Sequence, residues 1–171
     1  MVCCNSYIDV ICVENTAGSF CDGHGENFGG IVGTIENSAV MQTSFFDSTD
    51  YIEDFYRPGV VLNSSVHANV KGRVAVGGIV GKSYGIVMYS YSANKDANGS
   101  SPGPGIVGEE KVGGIVGESK KAVEYDYGVW FSTSIADVTG STATAGVVGS
   151  ADSDYAVYRS YYLKSNDHCY N

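Results

Sequence analysis

The sequence predicts an all-β protein folded as a parallel β-solenoid of about four coils. Three observations support this fold class. A short apolar motif flanked by glycines, GGIVG, which we call the first word, occurs at 29–33, 77–81 and 113–117, and a close variant, AGVVG, occurs at 145–149. A second word follows each copy at a nearly constant distance. No apolar stripe with the i, i+3, i+4 spacing of a helix reaches a useful length.

The second word consists of an apolar residue, two variable residues, Ser or Asp, and an aromatic residue. Its copies stand at 41–45, 87–91, 123–127 and 157–161, and a fifth, Cys3-Cys4-Asn5-Ser6-Tyr7, opens the chain. From the start of the first word to the Ser or Asp is 15, 13, 13 and 15 residues. A third word, Val70-Lys71-Gly72, recurs as Val138-Thr139-Gly140, and PGIVG at 104–108 is interpreted as a shorter echo of the first word.

Short words that are rich in Val, Ile and Tyr and bounded by turn-forming residues are typical of β-strands. Such words repeat in register when each unit forms one coil and neighbouring coils pair as parallel strands about 4.8 Å apart. The apolar centres of the first word are expected to form one inward column: Ile31, Ile79, Ile115 and Val147. The glycines beside them are expected where a side chain would clash or where φ must be positive: Gly30, Gly78, Gly114 and Gly146.

The aromatic position of the second word is expected to form an internal stack: Phe45, Tyr91, Tyr127 and Tyr161. The residue two positions earlier varies more between copies, which indicates an outward column: Thr43, Tyr89, Tyr125 and Arg159. Further aromatic residues are Tyr51, Phe55, Tyr56, Trp130 and Phe131. Exposed Tyr and Trp side chains suit the recognition of sugars and proteins. The candidate ligand-binding residues are therefore Tyr89, Tyr125, Arg159, Tyr51 and Tyr56.

Two insertions are expected to interrupt the coils, at 47–59 and at 94–105. The second consists almost entirely of turn-forming residues. The first carries the acidic residues Asp47, Asp50, Glu53 and Asp54. Oxygen ligands of this kind suit Ca²⁺, but residues 47–54 lack the D-x-D-x-D-G spacing, so an ordinary polar loop is the preferred interpretation and no cofactor is expected.

Composition and charge exclude several functions. The net charge is −9 and the 10 basic residues are scattered, which argues against a nucleic-acid partner and against binding to anionic membranes. No apolar run approaches the length of a membrane-spanning helix. Because Asp126, Asp137 and Glu109-Glu110 do not recur at stacked positions beside a basic residue, no catalytic residues are predicted and the chain is expected not to be an enzyme.

The five cysteines cannot all pair within the chain because their number is odd. Two interpretations remain open. Either a disulfide joins Cys12 to Cys21, or one of them to Cys3 or Cys4, or the thiols are buried or unbridged. Cys21 and His24 offer two zinc ligands, but a zinc site needs about four, and no metal site is predicted.

Together the words resemble the GLUG-repeat family, whose units read approximately V-G-G-L-V-G, a spacer, I-x-N-S-Y and a V-x-G turn. VGGIVG stands at 76–81 and 112–117, and the resemblance covers roughly residues 3–163. Ile replaces the usual Leu, and Asp126 replaces Ser in one copy. The resemblance implies a right-handed parallel β-helix in a large, mainly bacterial surface protein, located outside the cell, and it brings no catalytic residues.

The chain is expected to form a single β-solenoid domain over residues 1–171. It starts inside a second word, with no signal peptide and no obvious polar cap for the solenoid end. We therefore expect either a capping terminal loop or neighbouring coils and domains in a longer parent chain.

Three functions follow from these expectations. The leading one is a non-catalytic structural or adhesive module that displays loops and an aromatic face to a glycan or a host surface protein. The alternative is a carbohydrate-active β-helix enzyme. The third is an ice-binding solenoid, which requires a regular Thr array, and only Thr142-Ala143-Thr144 offers a T-x-T motif.

Overall fold

The chain folds as a β-solenoid. A computed structural model describes residues 3–8, 10–11, 25–36, 59–94, 104–121, 128–154 and 156–164. Within these ranges all regular secondary structure is β-strand and there is no helix. Every pairing between strands is parallel. The prediction of an all-β parallel solenoid is confirmed.

The strands form five parallel sheets, numbered here in the order in which the chain enters them. Sheet I contains β1 (Asn5–Ser6), β6 (Ser65–His67), β11 (Tyr91–Ala93), β16 (Thr133–Ser134) and β21 (Tyr161–Tyr162). Sheet II contains β2 (Val10–Ile11), β7 (Val70–Lys71), β12 (Ile106–Val107) and β17 (Val138–Thr139). Sheet III contains β3 (Glu26–Gly29), β8 (Val74–Gly77), β13 (Glu110–Gly113) and β18 (Thr142–Ala145). Sheet IV contains β4 (Val32–Ile35), β9 (Val80–Ser83), β14 (Val116–Ser119) and β19 (Val148–Ala151). Sheet V contains β5 (Val60–Leu62), β10 (Ile86–Met88), β15 (Val129–Trp130) and β20 (Val157–Tyr158).

Each coil supplies one strand to each sheet. Strands β1–β5, β6–β10, β11–β15 and β16–β20 make four coils, and β21 begins a fifth. The predicted number of coils is thus confirmed, while the right-handed sense stays a prediction.

The GGIVG words stack directly on one another. Gly77 lies in register with Gly29 below it and Gly113 above it, and Gly113 with Ala145. The apolar residues at the centre of each word stack in the same way. The backbone N–H of Ile31 donates to the carbonyl of Ile79 at 3.1 Å, that of Ile79 to Ile115 at 2.9 Å and that of Ile115 to Val147 at 2.9 Å. Ile79 and Ile115 are fully buried, and Ile31 and Val147 pack against the same core.

The second glycine of each word faces an inward side chain of sheet I. A Cβ added to Gly78 would lie 2.8 Å from Cβ of Ser92 and would overlap the carbonyl oxygen of Gly114 in the next coil. The equivalent pairs are Gly30 with Val66, Gly114 with Ser134, and Gly146 with Tyr162. The core is therefore thin here, and the lack of a side chain is a packing requirement.

Positive φ does not explain the glycines of this word. Among the described glycines only Gly105 has a positive φ, of 82°. In sheet III the left-handed position falls two residues before the first residue of the word, on residues that carry a Cβ. These residues are Asn27, Ala75, Lys111 and Ala143. Of the two reasons expected for these glycines, the described copies show the clash of a side chain and not a positive φ.

The predicted register of the second word is correct in two of the three copies within the described residues and wrong in the copy at the start of the chain. Ser90 and Ser160 occupy one column as expected, but the other members are Ser64, Ser132 and Cys4. Residues 41–45 and 123–127 lie outside the described residues, and Cys4 takes the place given to Ser6. The chain uses Val61-Leu62-Asn63-Ser64 and Val129-Trp130-Phe131-Ser132, in which Ser is followed by Ser65 or Thr133 and not by an aromatic residue.

The PGIVG echo belongs to a different column. Ile106 lies in register with Val70 and Val138 of sheet II, so residues 104–108 are a copy of the third word. Its sequence resembles the first word because both motifs need two apolar β-forming residues next to a glycine that has no room for a side chain. A Cβ on Gly108 would lie 2.9 Å from side-chain atoms of Val112 and Val76.

Variable segments join the strands at three corners of the coil. Residues 36–59 lie between β4 and β5, and residues 94–105 between β11 and β12. The expected insertion at 47–59 falls within the first segment, but 47–58 and 95–103 lie outside the described residues. Two further variable segments, 12–25 and 120–128, were not expected as insertions.

Candidate functional site

A column of serines sets the geometry of the corner between sheets V and I. The backbone N–H of Ser64 donates to Oγ of Ser90 at 3.3 Å, that of Ser90 to Ser132 at 3.1 Å, and that of Ser132 to Ser160 at 3.1 Å. Each hydroxyl also donates to the carbonyl two residues earlier, as Ser132 does to Trp130 at 2.9 Å. These bonds fix the two residues that flank each serine on the outer surface.

The serine column yields the first testable prediction. Ser132 is fully buried, and Ser132→Ala would leave the N–H of Ser90 without its partner, while the carbonyl of Trp130 would keep only the N–H of Tyr89. We expect a loss of about 1–2 kcal/mol in the free energy of unfolding, measured by chemical denaturation. Ser141→Ala, at an exposed site, is the control. Equal stability of the two variants would contradict the described register.

The residue before each serine, and before Cys4 at the start of the column, has a left-handed backbone. The φ angles are 55° at Cys3, 49° at Asn63, 50° at Tyr89, 49° at Phe131 and 45° at Arg159. A positive φ is uncommon for residues other than glycine, yet it recurs here at one position of every coil. We call this set the left-handed column; its side chains project from the corner.

Three aromatic rings form a ridge on this corner. The rings of Tyr89 and Phe131 stack with centroids 5.1 Å apart and planes 12° apart, and Phe131 meets the Tyr158 ring edge-on at 5.5 Å. The guanidinium carbon of Arg159 lies 5.2 Å from the Tyr158 centroid and 5.9 Å from that of Phe131. Tyr89 is 54% exposed and Tyr158 48%. This aromatic ridge combines planar apolar surface with one cation.

The residue after each serine, or after Cys4 at the start of the column, belongs to a second outward column, on sheet I. Its members are Asn5, Ser65, Tyr91, Thr133 and Tyr161. Tyr161 is 64% exposed and Tyr91 is half-buried. The expected internal aromatic stack is therefore wrong for the described members, because the serine and not the aromatic residue faces inward. Phe45 and Tyr127 lie outside the described residues.

A groove runs between these two columns. It has a volume of about 320 Å³ and is lined by Cys3, Asn63 and Tyr89 on one side, Asn5, Ser65 and Tyr91 on the other, and Ser64 at its floor. The Ser65 hydroxyl donates to Oδ1 of Asn5 at 2.7 Å, and the Asn63 amide donates to Cys3 Sγ at 3.4 Å. Tyr89 belongs to both the groove and the ridge.

A second aromatic contact borders the groove on sheet I. The Tyr7 and His67 rings stack with centroids 5.1 Å apart and planes 10° apart, and His67 meets Tyr91 at 5.5 Å. Burial raises the pKa of the Tyr91 hydroxyl, so this phenol is neutral and available as a hydrogen-bond donor at physiological pH.

The structure brings together two of the five predicted ligand-binding residues. Tyr89 and Arg159 both belong to the left-handed column. They are members of the column that the sequence predicts to face outward. Tyr125, Tyr51 and Tyr56 lie outside the described residues. The sequence pattern does not identify the groove residue Asn63, and it places Phe131 among the aromatic surface residues but not in the column. The spacing Val-x-x-Ser without a following aromatic residue would have identified both.

The outer face of sheet IV carries a different cluster, centred on Glu118. This carboxylate is 5% exposed and receives Lys111 Nζ at 2.7 Å, Lys120 Nζ at 3.0 Å and Lys82 Nζ at 3.9 Å. Lys120 also pairs with Asp152 at 3.2 Å. The cluster thus joins three successive coils through charge.

The pKa directions follow from these contacts. Burial raises the pKa of Glu118, but the hydrogen bonds and charges of Lys111 and Lys120 outweigh it and hold the pKa below its ordinary value. The hydrogen bond to Glu118 raises the pKa of Lys120, aided by Asp152. Glu118 is therefore ionised at neutral pH, and its role is to link coils.

Other candidate chemistry finds little support in the described part of the chain. No group of three or more His, Cys, Asp and Glu side chains there is placed to hold a metal ion, and the expected Ca²⁺ segment, 47–54, lies outside it. Thr142 stacks on Glu110, Val74 and Glu26, so sheet III presents no threonine ladder for ice. Asp137 is paired with Asn94, whose amide donates to it at 3.2 Å.

Comparison with known proteins adds no assignment. No family model, curated protein or solved structure matched this chain. In the described ranges we find no helix with the length and apolar character needed to cross a bilayer.

Proposed function

We propose that the chain is a non-catalytic structural and adhesive module of an extracellular surface protein, and that its aromatic face binds a glycan or a host protein. The aromatic ridge is the observation that carries the proposal. Three rings from successive coils lie side by side on the surface, with Tyr89 and Tyr158 about half exposed and Arg159 over the ring faces. Aromatic residues and Arg dominate the energy of many recognition surfaces.

The scaffold beneath the ridge supports the same proposal. The ridge residues are held by a backbone that the serine column and the buried core fix at every coil, so binding would lose little conformational entropy. The resemblance of the repeat words to GLUG-repeat surface proteins, and the extracellular location that it implies, remain part of the proposal and rest on the sequence.

Removal of two rings tests the proposed function. Tyr158→Ala and Tyr89→Asn, where Asn tolerates the left-handed φ, should each weaken binding about tenfold, as expected for interface aromatics. The melting temperature should stay close to wild type. Probes are immobilised neutral and acidic oligosaccharides, collagen and fibronectin.

Thr142→Ala is the matched control, because Thr142 is exposed on sheet III, away from the ridge. Wild-type protein that binds none of the probes, or equal losses in Thr142→Ala and Tyr158→Ala, would count against an adhesive ridge.

A further inference from the structure

We infer that the groove beside the ridge is a binding site for a neutral glycan, which lies along the solenoid axis and continues onto the ridge. This inference rests on the proposed function and names the ligand class. It begins from the direction of the groove: its two walls are columns of equivalent residues from successive coils, so the groove is parallel to the axis. A linear polymer fits such a channel.

The side chains that line the groove favour a sugar as the ligand. Asn5 and Asn63 supply amides, Ser65 a hydroxyl, and Tyr89 and Tyr91 aromatic rings with phenol groups. Sugars present hydroxyls around the ring edge and an apolar C–H face, which matches amide and hydroxyl partners beside aromatic planes. The bond from Ser65 occupies Oδ1 of Asn5 and leaves its amide nitrogen as a donor.

Charge narrows the ligand to neutral glycans. None of the seven lining residues has a charged side chain, and the whole chain carries a net charge of −9. An acidic glycan would find no cation in the groove and would be repelled by the protein at long range. Arg159 lies over the ridge, where its guanidinium already contacts the Phe131 and Tyr158 rings.

The groove and the ridge form one continuous surface. Tyr89 lines the groove at its upper end and stacks on Phe131, the first ring beyond it. Hydrogen bonds in the groove would set which sugar binds and in which direction, and the ridge would add stacking area. The two regions can be changed separately, because Asn5 and Asn63 touch only the groove and Tyr158 only the ridge.

Titration of neutral oligosaccharides tests the inference. The probes are β-1,4-linked glucan, mannan, xylan and galactan oligosaccharides, with oligogalacturonate and heparin oligosaccharides as acidic counterparts. Asn63→Gly removes the side chain and keeps the left-handed φ, and Asn5→Ala removes the facing amide. Each should weaken binding of a neutral probe about tenfold, the effect of one or two lost hydrogen bonds. The side-chain amide NMR signals of both residues should shift on titration.

The outcomes separate the two proposals. Neutral binding that Tyr158→Ala weakens but Asn63→Gly and Asn5→Ala leave intact overturns the groove and keeps the adhesive ridge. Binding only to collagen or fibronectin, or preferential binding of the acidic probes, overturns the neutral-glycan site alone. Wild-type protein that binds no probe overturns both.

Discussion

Gly78→Val should unfold most of the protein. The added side chain would meet the Ser92 side chain across the core and the Gly114 carbonyl of the next coil. Neither can retreat, since Ser92 is fully buried and the Gly114 backbone is tied to the next coil, where its N–H donates to the carbonyl of Ala145. We expect a loss of more than about 4 kcal/mol, which is exceptional for one substitution and comparable to the total stability of many domains. Circular dichroism and thermal melting measure it.

Gly33→Ala is the matched control for this prediction. Gly33 closes the same word in the first coil, and a Cβ there would have one close contact, with the Asn27 carbonyl oxygen at 2.9 Å. Its loss should be far smaller. If Gly78→Val melts near the temperature of Gly33→Ala, the thin core described here is incorrect.

Glu118→Gln should destabilise the stack by about 2 kcal/mol at neutral pH. Removal of one member of a buried ion pair costs about 3–5 kcal/mol, and the value is reduced here because the Lys side chains are 27% to 33% exposed. Glu118 pairs with Lys82 of the previous coil, and it also pairs with Lys120, which in turn pairs with Asp152 of the next coil. Loss of the Glu118 charge therefore weakens the links to both neighbouring coils. Urea unfolding measures the difference.

The same variant predicts a pH dependence. The pKa of Glu118 is lowered in the folded state, so its contribution is present above the ordinary pKa of Glu and is lost as pH falls through the lower folded value. The stability gap between wild type and Glu118→Gln should therefore narrow on acidification. Asp152→Asn, at a half-exposed carboxylate, should show a smaller gap. A gap that is constant from neutral to acidic pH would contradict the ion-pair role.

The fold could be predicted from the sequence because its strongest signal has one physical cause. Gly78 and Gly114 are flanked by backbone of the next coil and by an opposite side chain, so no other residue fits and the word recurs almost unchanged. The second word has a weaker constraint. Only its apolar residue and its serine face inward, and alignment on the exposed aromatic position places the copy at the start of the chain two residues out of register.

The candidate site was predictable only in part for the same reason. Outward positions of a solenoid have no partner across the core, so Asn63, Tyr89, Phe131 and Arg159 share a backbone conformation and no side-chain type. Variation between copies indicated that the column faces outward, and Tyr89 and Arg159 were recognised from it. Asn63 became visible once the serine register placed it beside Tyr89 at the groove.

The left-handed column also has an evolutionary consequence. Its side chains differ in size and charge from coil to coil, while the next residue in coils two to five is always serine, held by the same hydrogen bonds. A substitution in this column can therefore alter the surface without disturbing the interior. The binding preference of such a protein can drift by single mutations while its architecture stays under strong purifying selection.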